Sequence, residues 1–147
     1  MKKVLLGLVI AIIINGSVFA CKTPEELMDN YFSDFNAQDI TMVERNFSFP
    51  LMVIQNGKKT IHNDISTFLN FKKIKKTGWS ESVINSLTLL LEKNKSAITQ
   101  LNFSRINNDG NVYLTSDVNY ILIKENEHWY ISGIIIDSNI PLGIENN

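Results

Sequence analysis

The chain reads as an α+β domain in which three N-terminal helices cover one face of a curved antiparallel sheet. Three observations carry that expectation. Between Ala97 and Asp137 lie three runs of alternating apolar residues, Ala97–Ile106, Val112–Lys124 and Trp129–Asp137, parted by short polar turns. Asn56-Gly57 and Asp109-Gly110 are the residue pairs of tight hairpins, where a positive φ suits glycine. Upstream, apolar residues recur at helical spacing, which gives each segment one face to bury. Long strands need cover on one side, and these helices are the material for it.

Taken in order, Thr23-Pro24-Glu25-Glu26 starts the first helix. Thr23 caps it, Pro24 suits its first turn, and Glu26 completes a capping box. Leu27, Met28, Tyr31, Phe32 and Phe35 share its inner face. Asn36-Ala37-Gln38 breaks it, and Asp39 caps a second helix expected to run to about Phe47, with Ile40, Val43 and Phe47 on one side. Phe49-Pro50 then imposes extended backbone on Leu51–Gln55, and Lys58–His62 returns after the Asn56-Gly57 turn. Asn63-Asp64 caps a third helix, expected to continue through Ile65, Phe68, Leu69 and Phe71 to a stop at Gly78. Trp79 opens the first of four long strands. Residues 138–147 read as a loose tail.

The N-terminus carries an address. Lys2-Lys3, the apolar run Val4–Ile14 and the breaker Asn15-Gly16-Ser17 follow the pattern of a secretory signal, so residues 1–20 are expected to be removed. The apolar run is shorter than the roughly 20 residues that a membrane-spanning helix needs. Ser17-Val18-Phe19-Ala20-Cys21 resembles the bacterial lipobox, whose Cys is lipidated and becomes the new terminus. Val18 and Ala20 also satisfy ordinary signal cleavage, and both routes stay open. Lipidation accounts for the lone thiol, and it would anchor the chain to a membrane through Cys21. The expected location is therefore exported: lipid-anchored, on the outer membrane where one exists, or periplasmic or secreted.

Composition bounds the rest. The 147 residues fit one domain, here 21–137, with 44% hydrophobic and 20% charged residues. The formal charge is -1, from 14 basic and 15 acidic side chains. Lys72, Lys73, Lys75 and Lys76 close a helix, where its dipole favours cations, and no basic stripe alternates with aromatics. Nucleic acid is not an expected partner.

The order of elements, together with Gln38-Asp39, Phe49-Pro50, Arg105 ahead of Asp109-Gly110, Tyr120 and the Trp129 run, resembles the NTF2-like superfamily, from about Pro24 to Asp137. That superfamily includes SnoaL-like cyclases, ketosteroid isomerases and uncharacterised exported members. The resemblance implies a conical pocket between sheet and helices. Strand alternation nominates its lining. Odd parity points Asn85, Thr99 and Arg105 inward, even parity points Ser116 and Tyr120 inward, and Tyr31 faces them from the first helix. Trp129 begins a strand in which both parities are apolar, so its inner face is ambiguous, and Gly133 would mark a bulge that changes it. Each has a plainer reading: satisfied buried polar groups for Asn85, Thr99 and Ser116, core fillers for Tyr120 and Trp129, and an ion pair with Asp109 or Asp117 for Arg105.

The isomerase resemblance implies a carboxylate base beside a Tyr donor, and the cyclase resemblance an Asp/His pair. The available residues are Asp137, Tyr31 and His62, and they form no evident acid–base pair. No His/Cys/carboxylate cluster has metal-ligand spacing, and no cofactor is expected. The leading expectation is a non-catalytic exported domain holding a small apolar or amphipathic molecule. A protein-interaction or immunity-type envelope accessory protein, whose long strands offer a sheet surface for a homodimer, and a SnoaL- or isomerase-like enzyme are the alternatives.

Overall fold

The structure is a computed structural model that describes residues 21–141. The expected signal segment and residues 142–147 lie outside the described residues.

The first helix, α1 (Pro24–Ala37), starts as its sequence predicts. The Thr23 hydroxyl accepts from the Glu26 N–H at 3.2 Å, and Gln38 ends the helix in the left-handed region at φ 60°. Leu27, Met28, Tyr31, Phe32 and Phe35 are all buried. The second helix, α2 (Ile40–Glu44), is shorter than expected. Asn46 explains the early stop: its amide donates to the Met42 and Val43 carbonyls and to Asp34, which satisfies the helix end. Phe47 opens the first strand, β1 (Phe47–Gln55), instead of closing the helix.

The hairpin partner β2 (Lys58–His62) follows the Asn56-Gly57 turn, where both residues have positive φ. The expected third helix is broken. A single 3₁₀ turn, Ile65–Thr67, is capped by Asp64, and a five-residue helix, α3 (Phe71–Lys75), is capped separately by Asn70. The Asp64, Thr67 and Asn70 side chains bond nearby backbone, and that competition defeats a continuous helix.

Four long strands complete the sheet: β3 (Trp79–Glu92), β4 (Ser96–Asn107), β5 (Val112–Glu125) and β6 (His128–Ile136). The strand order is β2-β1-β6-β5-β4-β3, antiparallel except for the β1–β6 pair. The sheet is curved and unclosed, with β2 and β3 at its edges. Its register skips Ser80, Asn85 and Leu90 on β3, Tyr113 on β5 and Ser132 on β6. Each skip adds an unpaired residue, bends the strand and exchanges its faces. The concave face so formed packs on α1.

The segment expected to be a loose tail begins with a docked strap. The Gln55 amide donates to the Ser138 and Ile140 carbonyls, Ser116 and Ser138 share a 2.7 Å hydroxyl contact, and Ile140 is buried.

Candidate functional site

The concave face and α1 enclose a small cavity of about 30 Å³, lined by Tyr31, Phe32 and Phe35 of α1, Ser82 of β3, Phe103 and Arg105 of β4, Val118, Ile136 and Ile140. A volume of this size holds roughly two water molecules. The aromatic wall is built around Tyr31, whose ring meets Phe32, Phe35, Phe47 and Tyr120 edge-on at centroid distances of 5.3 to 6.0 Å. Phe35 in turn packs on Trp79, which stacks on Phe71. The Asn36 side chain fixes α1 to β3 by bonding both the N–H and the carbonyl of Ser82, each at 2.8 Å.

Arg105 is the charged member of this wall and is only 2% exposed. Nη1 donates to the Pro141 carbonyl at 2.8 Å, and the Tyr113 phenol lies near the guanidinium. Nε has no partner. The expected ion pair is not formed. On β5 the even positions face inward, so Asp117 lies on the outer face, where it accepts from Asn102. Asp109 is exposed in the β4–β5 turn. Burial pulls the guanidinium pKa down, and the neighbouring tyrosines partly oppose the shift. Those tyrosines are not counter-ions. Burial pushes the Tyr31 phenol up to about 12 and the Tyr120 phenol well above its ordinary value. The two rings neighbour each other, and both phenols stay neutral near pH 7. The wall therefore holds one positive charge without an anion among the described residues.

The other nominated residues scatter. Thr99 is buried beside Tyr120 with its hydroxyl unpartnered, and Ser116 bonds the strap at the cavity's edge. Asn85 faces out. It is the extra residue of a bulge, and its amide joins Asn102 and Ser104 in a polar ladder on the convex side. The earlier skip at Ser80 carries Ser82 inward and leaves Val83 exposed, contrary to simple alternation. Trp129 is buried at the other end of the sheet, where its backbone N–H donates to the Cys21 carbonyl. Along β4, eight residues separate Arg105 from Ala97, so the two ends lie about 26 Å apart.

The three catalytic candidates do not meet. Tyr31 lines the cavity. His62 sits on the edge strand β2, its two ring nitrogens 3.1 and 3.3 Å from the Thr60 and Thr67 hydroxyls and its ring against Phe68. Asp137 is exposed, because the skip at Ser132 moves the inner face of β6 from Trp129 and Ile131 to Ile134 and Ile136. Gly133 accommodates that skip. A Cβ there would lie 3.1 to 3.2 Å from Ile121 atoms. Among the described residues no cluster of three or more His, Cys, Asp or Glu is placed to hold a metal ion. Simple alternation missed Ser82 because the bulge at Ser80 leaves no mark in the sequence. Ile140 was missed as tail, although an Ile-Pro pair so close to the last strand was the available signal.

Comparison with known proteins agrees with this architecture. The family model described as "NTF2-like protein (DUF6841)" matches residues 23–139. A solved NTF2-like protein of unknown function from Shewanella oneidensis superposes with a TM-score of 0.61 at 16% identity, covering 78% of this chain and 95% of that one. A cystatin-like-fold protein of unknown function from Nostoc punctiforme gives 0.64 at 14% identity, with 80% and 90% covered. A candidate ketosteroid isomerase from Shewanella frigidimarina gives 0.56 at 10% identity, with 74% and 89% covered. At these identities the likeness is one of fold. No curated protein matches the chain.

Proposed function

The chain belongs to the NTF2-like family DUF6841, and from that premise we propose that it is an exported, lipid-anchored binding domain that holds a small amphipathic molecule in its cone without transforming it. The observation that carries the reading is the cavity itself, an aromatic enclosure with Arg105, Tyr31 and Ser82 as its polar groups. Apolar enclosure with a few placed polar groups is what small-molecule sites share. Against catalysis stands the dispersal of Tyr31, His62 and Asp137 over three separate places. Among the described residues no carboxylate lines the cavity to act as a base. In the anchored form Cys21 would tether the domain at the Trp129 end of the sheet, leaving the cavity at the far end.

The test is native mass spectrometry of the mature protein isolated from its own envelope without added ligand. Acylated Cys21 and a reproducible non-lipid adduct of small-molecule mass are the expected results. An unmodified chain beginning at Met1, or repeated isolation without an adduct, would refute export or binding respectively.

One observation favours a second reading. Edge strand β3 exposes Val83, Leu90 and Leu91 at 41%, 54% and 42%. Apolar residues on a long open edge suit pairing with a second sheet, so association through β3 would make this a protein-interaction module. Sedimentation of the wild type beside Leu90→Lys decides it: a dimer lost in the variant supports this reading, and a monomeric wild type removes it.

A further inference from the structure

Building on the binding reading above, we propose that Arg105 anchors the carboxylate of a small amphipathic monoanion, whose apolar part lies against Phe32, Phe35 and Phe103. Arg105 presents three independent features that point to such a ligand. It is 2% exposed, and its Nε has no partner, so one arm of its two-donor fork is unused in a site where unused donors are rare. Its charge faces no carboxylate among the described residues. The phenols around it are neutral donors and acceptors, which cannot balance a guanidinium in an apolar wall.

Charge arithmetic selects the ligand class. A single buried cation is balanced by one negative charge, and a phosphomonoester or dicarboxylate would leave a second charge unpaired in the same wall. A planar carboxylate matches the guanidinium fork, whereas an amine or a neutral amide does not. Among the described residues the aromatic surroundings supply no further cation, and they favour an apolar body. In the described state the space beside Arg105 is taken by the chain's own strap: Ile140 forms part of the wall, and the Pro141 carbonyl accepts from Nη1. A ligand larger than about two waters therefore takes the place of Ile140 and Pro141. The strap is held by hydrogen bonds from Gln55 and Asn56 and by the Ser116–Ser138 contact, all at the rim.

The probe is phenylacetate, with 2-phenylethanol as its uncharged counterpart, added to the chain from Cys21 to Asn147. The sequence contains two arginines, Arg45 and Arg105, and Arg45 is exposed, so their side-chain Nε–H signals are readily separated by NMR. Phenylacetate is expected to shift the Arg105 Nε–H signal saturably, and to bind more tightly than 2-phenylethanol by roughly tenfold or more. Arg105→Lys keeps the charge and loses the fork, so phenylacetate should lose a similar factor while 2-phenylethanol is unaffected. The wild-type Nε–H shift needs no variant and stands even where Arg105→Lys fails to fold. Equal binding of the two probes, or saturable phenylacetate binding that leaves the Arg105 signal unmoved, overturns the assignment of Arg105 and leaves the binding reading standing. If neither probe binds at any concentration, the cavity is core, and both fall together.

Discussion

Replacing Tyr31 by Phe tests whether the cone interior is dry. The phenol is 5% exposed, and its pKa rises from 10.0 to about 12, chiefly because burial penalises the phenolate. The sign follows from proton linkage. Above pH 10 the unfolded chain gives up the Tyr31 proton while the folded chain keeps it, so folding becomes less favourable as pH rises. The contribution is intact below pH 10 and is lost progressively as pH approaches the folded value. At pH 11 the loss is about 1.4 kcal/mol, and above pH 12 it approaches about 2.7 kcal/mol. Tyr31→Phe has no such proton, and it also relieves Tyr120 of the neighbour that helps raise its own phenol. Urea unfolding at pH 8 and pH 11 reads the difference. With a slope of about 2 kcal/mol per molar, the wild-type midpoint should fall by about 0.7 M more than that of Tyr31→Phe. Parallel midpoints across that range would mean that water reaches the phenol, and the enclosed cavity would be refuted.

Three further predictions follow from the packing. Asn36→Ala removes both side-chain bonds to the Ser82 backbone in a partly buried contact, and should cost about 1 to 3 kcal/mol in a urea titration, whereas Ala37→Ser, next door but exposed, should be nearly silent. Gly133→Val places atoms within the Ile121 side chain, and the overpacking should lower stability by about 1 to 3 kcal/mol, read as a fall in Tm. Asp64 caps the 3₁₀ turn through the Thr67 N–H and accepts from Ser66, and the Ser66 bond is the main reason its carboxyl pKa lies below 3.8. Its contribution is present above that value and vanishes as pH falls through the depressed one, so wild type and Asp64→Ala should differ at pH 7 and converge as the carboxyl is protonated in acid.

Local signals made much of this architecture legible. Thr23-Pro24-Glu25-Glu26 announces α1 by chemistry that acts within four residues, and the Asn56-Gly57 and Asp109-Gly110 turns work the same way. Strand parity held wherever the ladder ran without a skip, which is why Thr99 and Leu101 on β4, and Val118 and Tyr120 on β5, were placed on the right face. It failed at Asn85, which is itself the extra residue of a bulge, and at Asp137, which follows one, because a bulge is decided by the partner strand rather than by the residue that bulges. Gly133 was the one sequence cue to such a change. The third helix failed for a different reason: apolar spacing through Ile65, Phe68 and Leu69 fits a helix, but Thr67 and Asn70 bond locally and divide it. Arg105 shows the limit for the site. Its inward parity was readable, yet its lack of an acidic partner depends on which way Asp117 faces across the sheet.

The central claim is that the free donor of Arg105 is reserved for a carboxylate. The most direct test is a crystal structure of the protein isolated from its native cells without added ligand. Planar density within hydrogen-bond distance of Arg105 Nε, continuing as an apolar body toward Phe32 and Phe103, is the predicted result. Density at Nε that belongs to a side chain or terminus of the protein itself would contradict the claim, as would a closed wall with Nε against carbon.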